Sequence, residues 1–321
     1  MKDHYVSQTY LDAFTDQDGH LYPYYKGKQV ILGKPKPVSA VCFEIDGDAN
    51  KYFEDPRILD AYLPQFEQPW KRNVQALREA SLEPMAKYQV AGYLAFLRVC
   101  TPTAKRLGQN KIRAVVQPTA QEVVEESLRL NPPNDPETRR IIEKVVRERK
   151  LVVQIDREFP HALGIGVLHD LTSGLFHGNW LVMFNRSPRP FVTSDNPAVP
   201  YHHQPDHTIA QIYVPIAPDI ALLIAADASW QAQSIPSTDR RQSADDRFAV
   251  PKAEYVERFN DLIIRAAEER VLHGAPDPEL ESRVKENSDW RMEVVVDHIP
   301  DGQGTVTVTR ELPQRRGLTS R

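Results

Sequence analysis

The chain has 321 residues, 41% of them hydrophobic and 26% charged, enough apolar material to bury the core of one large domain or of two smaller ones. A formal net charge of −4 excludes a surface that is basic throughout, and leaves only a local basic groove open to nucleic acid. The two cysteines, Cys42 and Cys100, lie far apart without metal-type spacing, which fits a reducing compartment and excludes a cysteine-based zinc site.

The opening MKDHYVSQTYLDAF has no apolar core of signal-peptide length, and no run approaches the ~20 apolar residues of a membrane span. The expectation is a cytoplasmic protein without a membrane partner. Between His4 and Phe14, Val6, Tyr10, Leu11 and Phe14 fall at helical spacing, and His4 and Gln8, four apart, share a face. His20–Tyr25 alternates as a strand, Val38–Ile45 suggests another, and Asp46-Gly47-Asp48 is the turn after it. From Asp60 the pattern is helical: Leu63, Phe66, Trp70, Val74 and Leu77 form one stripe, and Glu67 stands four residues before Lys71 as its intrahelical partner. Pro84–Val99 is a second helix, central by its apolar content, with Arg98 at its C-terminal end, where a cation suits the macrodipole.

Lys105–Arg149 continues as helix, with Val115, Val116, Val123, Val124 and Leu128 spaced for one buried face. The break at residues 131–136 places Asp135 as N-cap and Pro136 at the first position of the next helix. Phe159–Phe176 is helical and carries His161 and His169, and His177 follows another eight residues on, a spacing that matches no compact metal motif. Trp180–Phe184 and Phe191–Thr193 read as a hairpin around the turn Arg186–Pro190. Its second strand stops at Ser194-Asp195-Asn196-Pro197, which sets a carboxylate and a carboxamide at the rim. Ile209–Pro215 and Ile220–Ala225 extend the sheet as a meander; His202 and His203, adjacent on a strand, would face opposite sides. Ser234–Asp246 reads as a polar loop, Tyr255–Leu272 as an amphipathic helix with Asn260 beside its apolar stripe, and Asp289–Arg310 as a second hairpin. The fold class expected is α+β, a central antiparallel sheet built as a meander with hairpins and packed against a mainly helical layer. Residues 1–280 form one domain, with the helical part at about 57–178 inserted between the N-terminal segment and the sheet. Residues 281–321 add the C-terminal hairpin and a basic tail.

The run His4-Tyr5-Val6-Ser7-Gln8 followed by Tyr10-Leu11 and Phe14, with Thr193-Ser194-Asp195-Asn196-Pro197 in the middle of the chain, resembles the bacterial domain-of-unknown-function family 4238. Members of that family begin His-Tyr-Val-Pro-Gln and carry Thr-Ser-Asp-Asn-Pro; Ser7 replaces the proline here, which touches turn rigidity more than chemistry. The likeness extends to about Leu272 and includes Arg98 before Thr101-Pro102, the acidic Glu67 and Asn260. It implies a shared architecture and a common site, and supplies no activity.

The sequence has no phosphate-binding glycine loop of Walker or dinucleotide type, no Gly-Xaa-Ser-Xaa-Gly elbow and no His-Glu-Xaa-Xaa-His. The candidate catalytic residues are therefore His4, Gln8, Glu67, Arg98, Asp195 and Asn196, gathered in part through the family resemblance. His4, Glu67 and Asp195 would ligate a divalent metal ion, and Arg98 would stabilise a phosphoryl or carboxyl group. This set suits a metal-assisted hydrolase, a nuclease or phosphodiesterase in type, acting on nucleic acid or another phosphoester. The alternative is a non-catalytic binding or interaction module in which the same side chains form a buried hydrogen-bond network.

Overall fold

The computed structural model describes residues 1–27, 32–202, 210–225, 237–242, 247–300 and 305–317. In chain order these form β1 (Lys2–His4), α1 (Gln8–Leu11), β2 (His20–Tyr25), β3 (Lys36–Pro37), β4 (Phe43–Ile45) and the helices α2 (Ile58–Tyr62), α3 (Pro64–Glu67) and α4 (Trp70–Arg78). The long helices α5 (Pro84–Cys100) and α6 (Pro102–Leu130) follow, then α7 (Pro136–Arg147), α8 (Glu158–Gly166) and α9 (Leu168–His177). The sheet strands are β5 (Asn179–Phe184), β6 (Thr193–Ser194), β7 (Val199–His202), β8 (Ala210–Ala217), β9 (Ile220–Ala225), β10 (Ser237–Gln242) and β11 (Arg247–Pro251). The chain closes with α10 (Ala253–Ala266), β12 (Arg270–His273), α11 (Pro278–Glu286), β13 (Trp290–Pro300) and β14 (Thr305–Arg315).

The fold is α+β, as its residue pattern predicts. A six-stranded sheet, in the order β10-β11-β5-β9-β8-β7, is antiparallel except where β11 runs parallel to β5. All of β9 is buried, so both faces of the sheet are covered, and its side chains alternate between two cores. Ile220, Leu222 and Ile224 join a core with Trp180, Val182 and the residues of α5. Ala221, Leu223 and Ala225 join a second core with Tyr213, Phe259 and Ile263, in which the rings of Tyr213 and Phe259 stack at 4.3 Å. Helix α5 is buried almost all round, from Val90 to Leu97, as a helix at the centre of a layer must be. At Gly92 the Phe66 ring fills the place where a side chain would begin: a Cβ there would lie 2.0 Å from it.

Several expected elements differ. Trp180–Phe184 and Phe191–Thr193 do not form a hairpin: β5 pairs with β9 and β11, whereas β6 pairs with β12 in the four-stranded sheet β3-β2-β12-β6. Buried over four consecutive residues, β5 takes a central position with a strand on each side. The segment between the sheets is held by Asn260, whose Oδ1 accepts from Val192 N (3.1 Å) and whose Nδ2 donates to Pro190 O (2.9 Å). The opening helix shrinks to α1 and one 3-10 turn, because Lys2–His4 is a strand paired to β4. Val38–Ile45 keeps strand form only at Phe43–Ile45. Helix α10 stops at Ala266 instead of reaching Leu272, which lies in β12. The Lys26 ammonium satisfies its last carbonyls, donating to Ile264 O (2.7 Å), Arg265 O (3.2 Å) and Ala267 O (2.9 Å). The meander β7-β8-β9 and the hairpin β13-β14 form as expected. Of Ser234–Asp246, Ser237–Gln242 is strand β10 and the rest lies outside the described residues, as does His203. No helix among the described residues is long and apolar enough to cross a membrane.

Candidate functional site

Asp195 is 2% exposed, and its carboxylate accepts the backbone N–H groups of Glu268 (2.9 Å), Glu269 (2.8 Å) and Arg270 (3.1 Å). Asn196 donates through Nδ2 to Ala266 O at 3.0 Å. The two side chains clasp the end of β6 to the turn between α10 and β12. Burial raises the Asp195 carboxyl to about 6, against the pull of the Glu269 amide and the Arg270 charge. Arg98 is committed elsewhere, to Ala198 O (3.2 Å) and to Glu311 on β14 (2.5 Å). Burial alone would raise the Glu311 carboxyl, yet Arg98 and Lys111 hold it down to about 2.

The N-terminal segment does reach β6, through Tyr10, whose hydroxyl meets Thr193 Oγ1 (2.9 Å) and Pro215 O (2.5 Å). His4 and Gln8 do not share a helix face there. Gln8 is exposed on α1, and His4 sits opposite Phe43 in the β1–β4 ribbon with its Nε2 buried and unpartnered. Burial lowers the His4 pKa. Glu67 is half-buried, and its expected partner Lys71 instead reaches Asp12 at 2.9 Å. Among the described residues no group of three or more His, Cys, Asp or Glu side chains is arranged to hold a metal ion, so His4, Glu67 and Asp195 form no common three-ligand site.

A different set of polar groups converges where α6 begins. Thr101 caps that helix by accepting from Ala104 N (3.2 Å). Lys105, in the next turn, donates to Glu44 Oε2 (3.0 Å) and Gly47 O (2.7 Å). Lys105, Glu44 and Gly47 line a cavity of about 450 Å³ between the Glu44–Gly47 turn and α8, together with Arg157, Glu158 and His161. Asn50 fixes the far wall through Nδ2 to Glu158 O (2.9 Å), and Lys51 N donates to Glu158 Oε2 (3.0 Å). His161 is 3% exposed and its Nε2 has no partner. Arg157 is exposed and makes no ion pair among the described residues.

Two buried or half-buried carboxyls, Asp48 and Glu67, have perturbed proton affinities. Burial raises Asp48 to about 6, opposed by the Lys105 charge. Burial raises Glu67 to about 7, the Asp48 charge adds to that, and a hydrogen bond from Ser7 opposes it. Burial and the charge of Lys105 lower His161 to about 3, so its ring is neutral at pH 7. The charge of Asp48 reaches Glu67, and the charge of Lys105 reaches both Asp48 and His161; carboxyls with raised pKa values suit acid–base chemistry. Of the four only Glu67 stands among the sequence candidates. The available signal for Lys105 was its position, since a cation in the opening turns of a helix opposes the macrodipole and needs another reason to be there.

No curated protein and no solved structure matches the chain. The family model described as "Protein of unknown function (DUF4238)" matches residues 2–277; the Ser7 and Asp195 neighbourhoods and the cavity all fall inside that span. The chain belongs to this family of unknown function.

Proposed function

We propose that the protein is a hydrolase of phosphoester bonds working at the cavity between the Glu44–Gly47 turn and α8. The observation that carries this reading is the buried Nε2 of His161, left without a partner in the wall of a cavity that Lys105 and Arg157 also line. An unsatisfied buried polar atom costs roughly 1–3 kcal/mol, a cost that a bound substrate atom would remove. Lys105 and Arg157 would hold a phosphoryl group, with Arg157 offering a fork. A base whose pKa is about 3 takes protons poorly, so His161 serves as a neutral hydrogen-bonding group. Proton transfer falls to Asp48 and Glu67, with values near 6 and 7. A divalent ion would enter with the substrate, since ions of the magnesium type bind through one or two carboxylates plus phosphate oxygens.

The test is turnover of a panel of phosphomonoesters, phosphodiesters and single-stranded nucleic acid, with and without magnesium. The expected result is turnover that Lys105→Met and His161→Asn each lower by about 100-fold, with little change in melting temperature for Lys105→Met. Its rate should rise through pH 7 as Glu67 ionises, and Glu67→Gln should abolish that limb. Turnover unaffected by all three substitutions would place the chemistry elsewhere. The commitment of Asp195, Arg98 and Asn260 to internal bonds favours a second reading, a binding module. Ligand retention at the same cavity without turnover distinguishes it.

A further inference from the structure

The second half of α6 and α7 form an arm on which several apolar side chains are exposed, although Val146 is buried and Val124, Leu128, Ile142 and Val145 are half-buried. No residue of α6 beyond Leu107 is buried; of the valines spaced for a core, Val115, Val116 and Val123 are exposed, Val123 at 61%, and so are Leu130 at 63% and Ile141 on α7 at 56%. Val116, Val123 and Leu130 recur every seven residues, the spacing of a helix seam that packs against another helix. The inner side of the arm is already used: Gln117 and Gln121 hold Leu151 O and Val146 O at 2.6 and 2.9 Å.

The charges on the arm divide by helix. The division is one of net charge: from Pro118 on, α6 carries Glu122, Glu125 and Glu126 against Arg129, and α7 carries Arg139, Arg140, Lys144 and Arg147 against Glu137 and Glu143. The ion pairs formed here stay within one helix, Glu126 with Arg129 and Arg139 with Glu143, and none joins α6 to α7 among the described residues. A surface with an acidic and a basic half beside a shared apolar stripe is complementary to itself under a two-fold rotation. We propose that two copies of this chain pair arm to arm about such an axis, with α6 of each laid on α7 of the other, Val123 and Leu130 meeting the Ile141 side of the partner.

Sedimentation equilibrium of the full chain from micromolar to about 100 µM tests this. The expected result is a dimer that weakens as salt rises, because the charged rim is solvent-screened. Val123→Glu should yield a monomer with unchanged circular dichroism and melting temperature. The double variant Glu122→Lys/Glu126→Lys and the double variant Arg140→Glu/Lys144→Glu should each weaken self-association about tenfold or more. Mixed together they should recover a heterodimer, since each acidic half then meets a basic one. A chain that stays monomeric throughout, or a dimer indifferent to all three variants, overturns the proposal. A dimer weakened by Val123→Glu but left unchanged by both charge reversals also overturns it, because a pairing of like helices repels equally before and after reversal.

Discussion

A single carboxylate at Asp195 holds three successive amides of the Glu268–Arg270 turn. An asparagine there would keep one acceptor and turn an N–H₂ toward donors. Asp195→Asn should therefore cost about 2 kcal/mol, read as a lower urea midpoint with the slope unchanged, and the Glu268–Arg270 amides should exchange faster. Unchanged exchange would show that the turn holds without the clasp. The Ser-Asp-Asn-Pro run announced a polar device at a strand end, and the sequence could not say whether it faced a ligand or a neighbouring backbone, because both uses need the same short acceptor side chains. Lys105, Asp48 and His161 were hidden for the converse reason. Each has an ordinary local role, in a helix, a turn and a helix, and only the packing of α6 and α8 against the Glu44–Gly47 turn sets Lys105 and His161 in one cavity wall with the Lys105 charge felt at Asp48.

Helix α6 carries a ladder of long polar side chains at a spacing of four, Gln109, Arg113, Gln117 and Gln121, which hold the carbonyls of Ile155, Val153, Leu151 and Val146. Gln117 also accepts from Val153 N at 2.9 Å, so the extended strap after α7 borrows a side chain where a strand would supply a backbone. Gln117→Ala removes both bonds, and the Val153 amide should lose its exchange protection while global stability falls by about 1–2 kcal/mol. On α5 the close approach is steric: Gly92→Ala would drive a methyl group into the Phe66 ring. It should destabilise by about 1–3 kcal/mol, and Gly92→Ala combined with Phe66→Leu should lose less than the separate changes summed. Elements with a clear period were legible in advance, α5, the cap at Asp135 (2.8 Å to Thr138 N) and the β8–β9 meander among them. The valines of α6 were not, because a 3.6-residue period marks a face fit for burial and says nothing about whether this chain or another covers it.

At the scale of the molecule, the six-stranded sheet is covered on both faces, and burial shifts the proton affinities of several polar groups on the elements around it. Asp48, Glu67 and Asp195 are raised to about 6, 7 and 6, while His161 is lowered to about 3, so the carboxyls and the imidazole act on stability with opposite signs. For Glu67, between its ordinary value near 4.5 and the folded value near 7, the unfolded chain is ionised and the folded chain still holds its proton. The folded state binds more protons there, so stability falls as pH rises through that window. The contribution is complete below about 4.5 and gone above about 7. Glu67→Gln has no such proton to lose. Relative to the native chain, the variant should gain stability steadily from pH 4.5 to 7 and keep a constant offset outside that range, as measured by urea midpoints at equal slope. A difference that stays flat across the window would mean that Glu67 ionises like an exposed carboxylate, which would remove it from the proposed proton transfer.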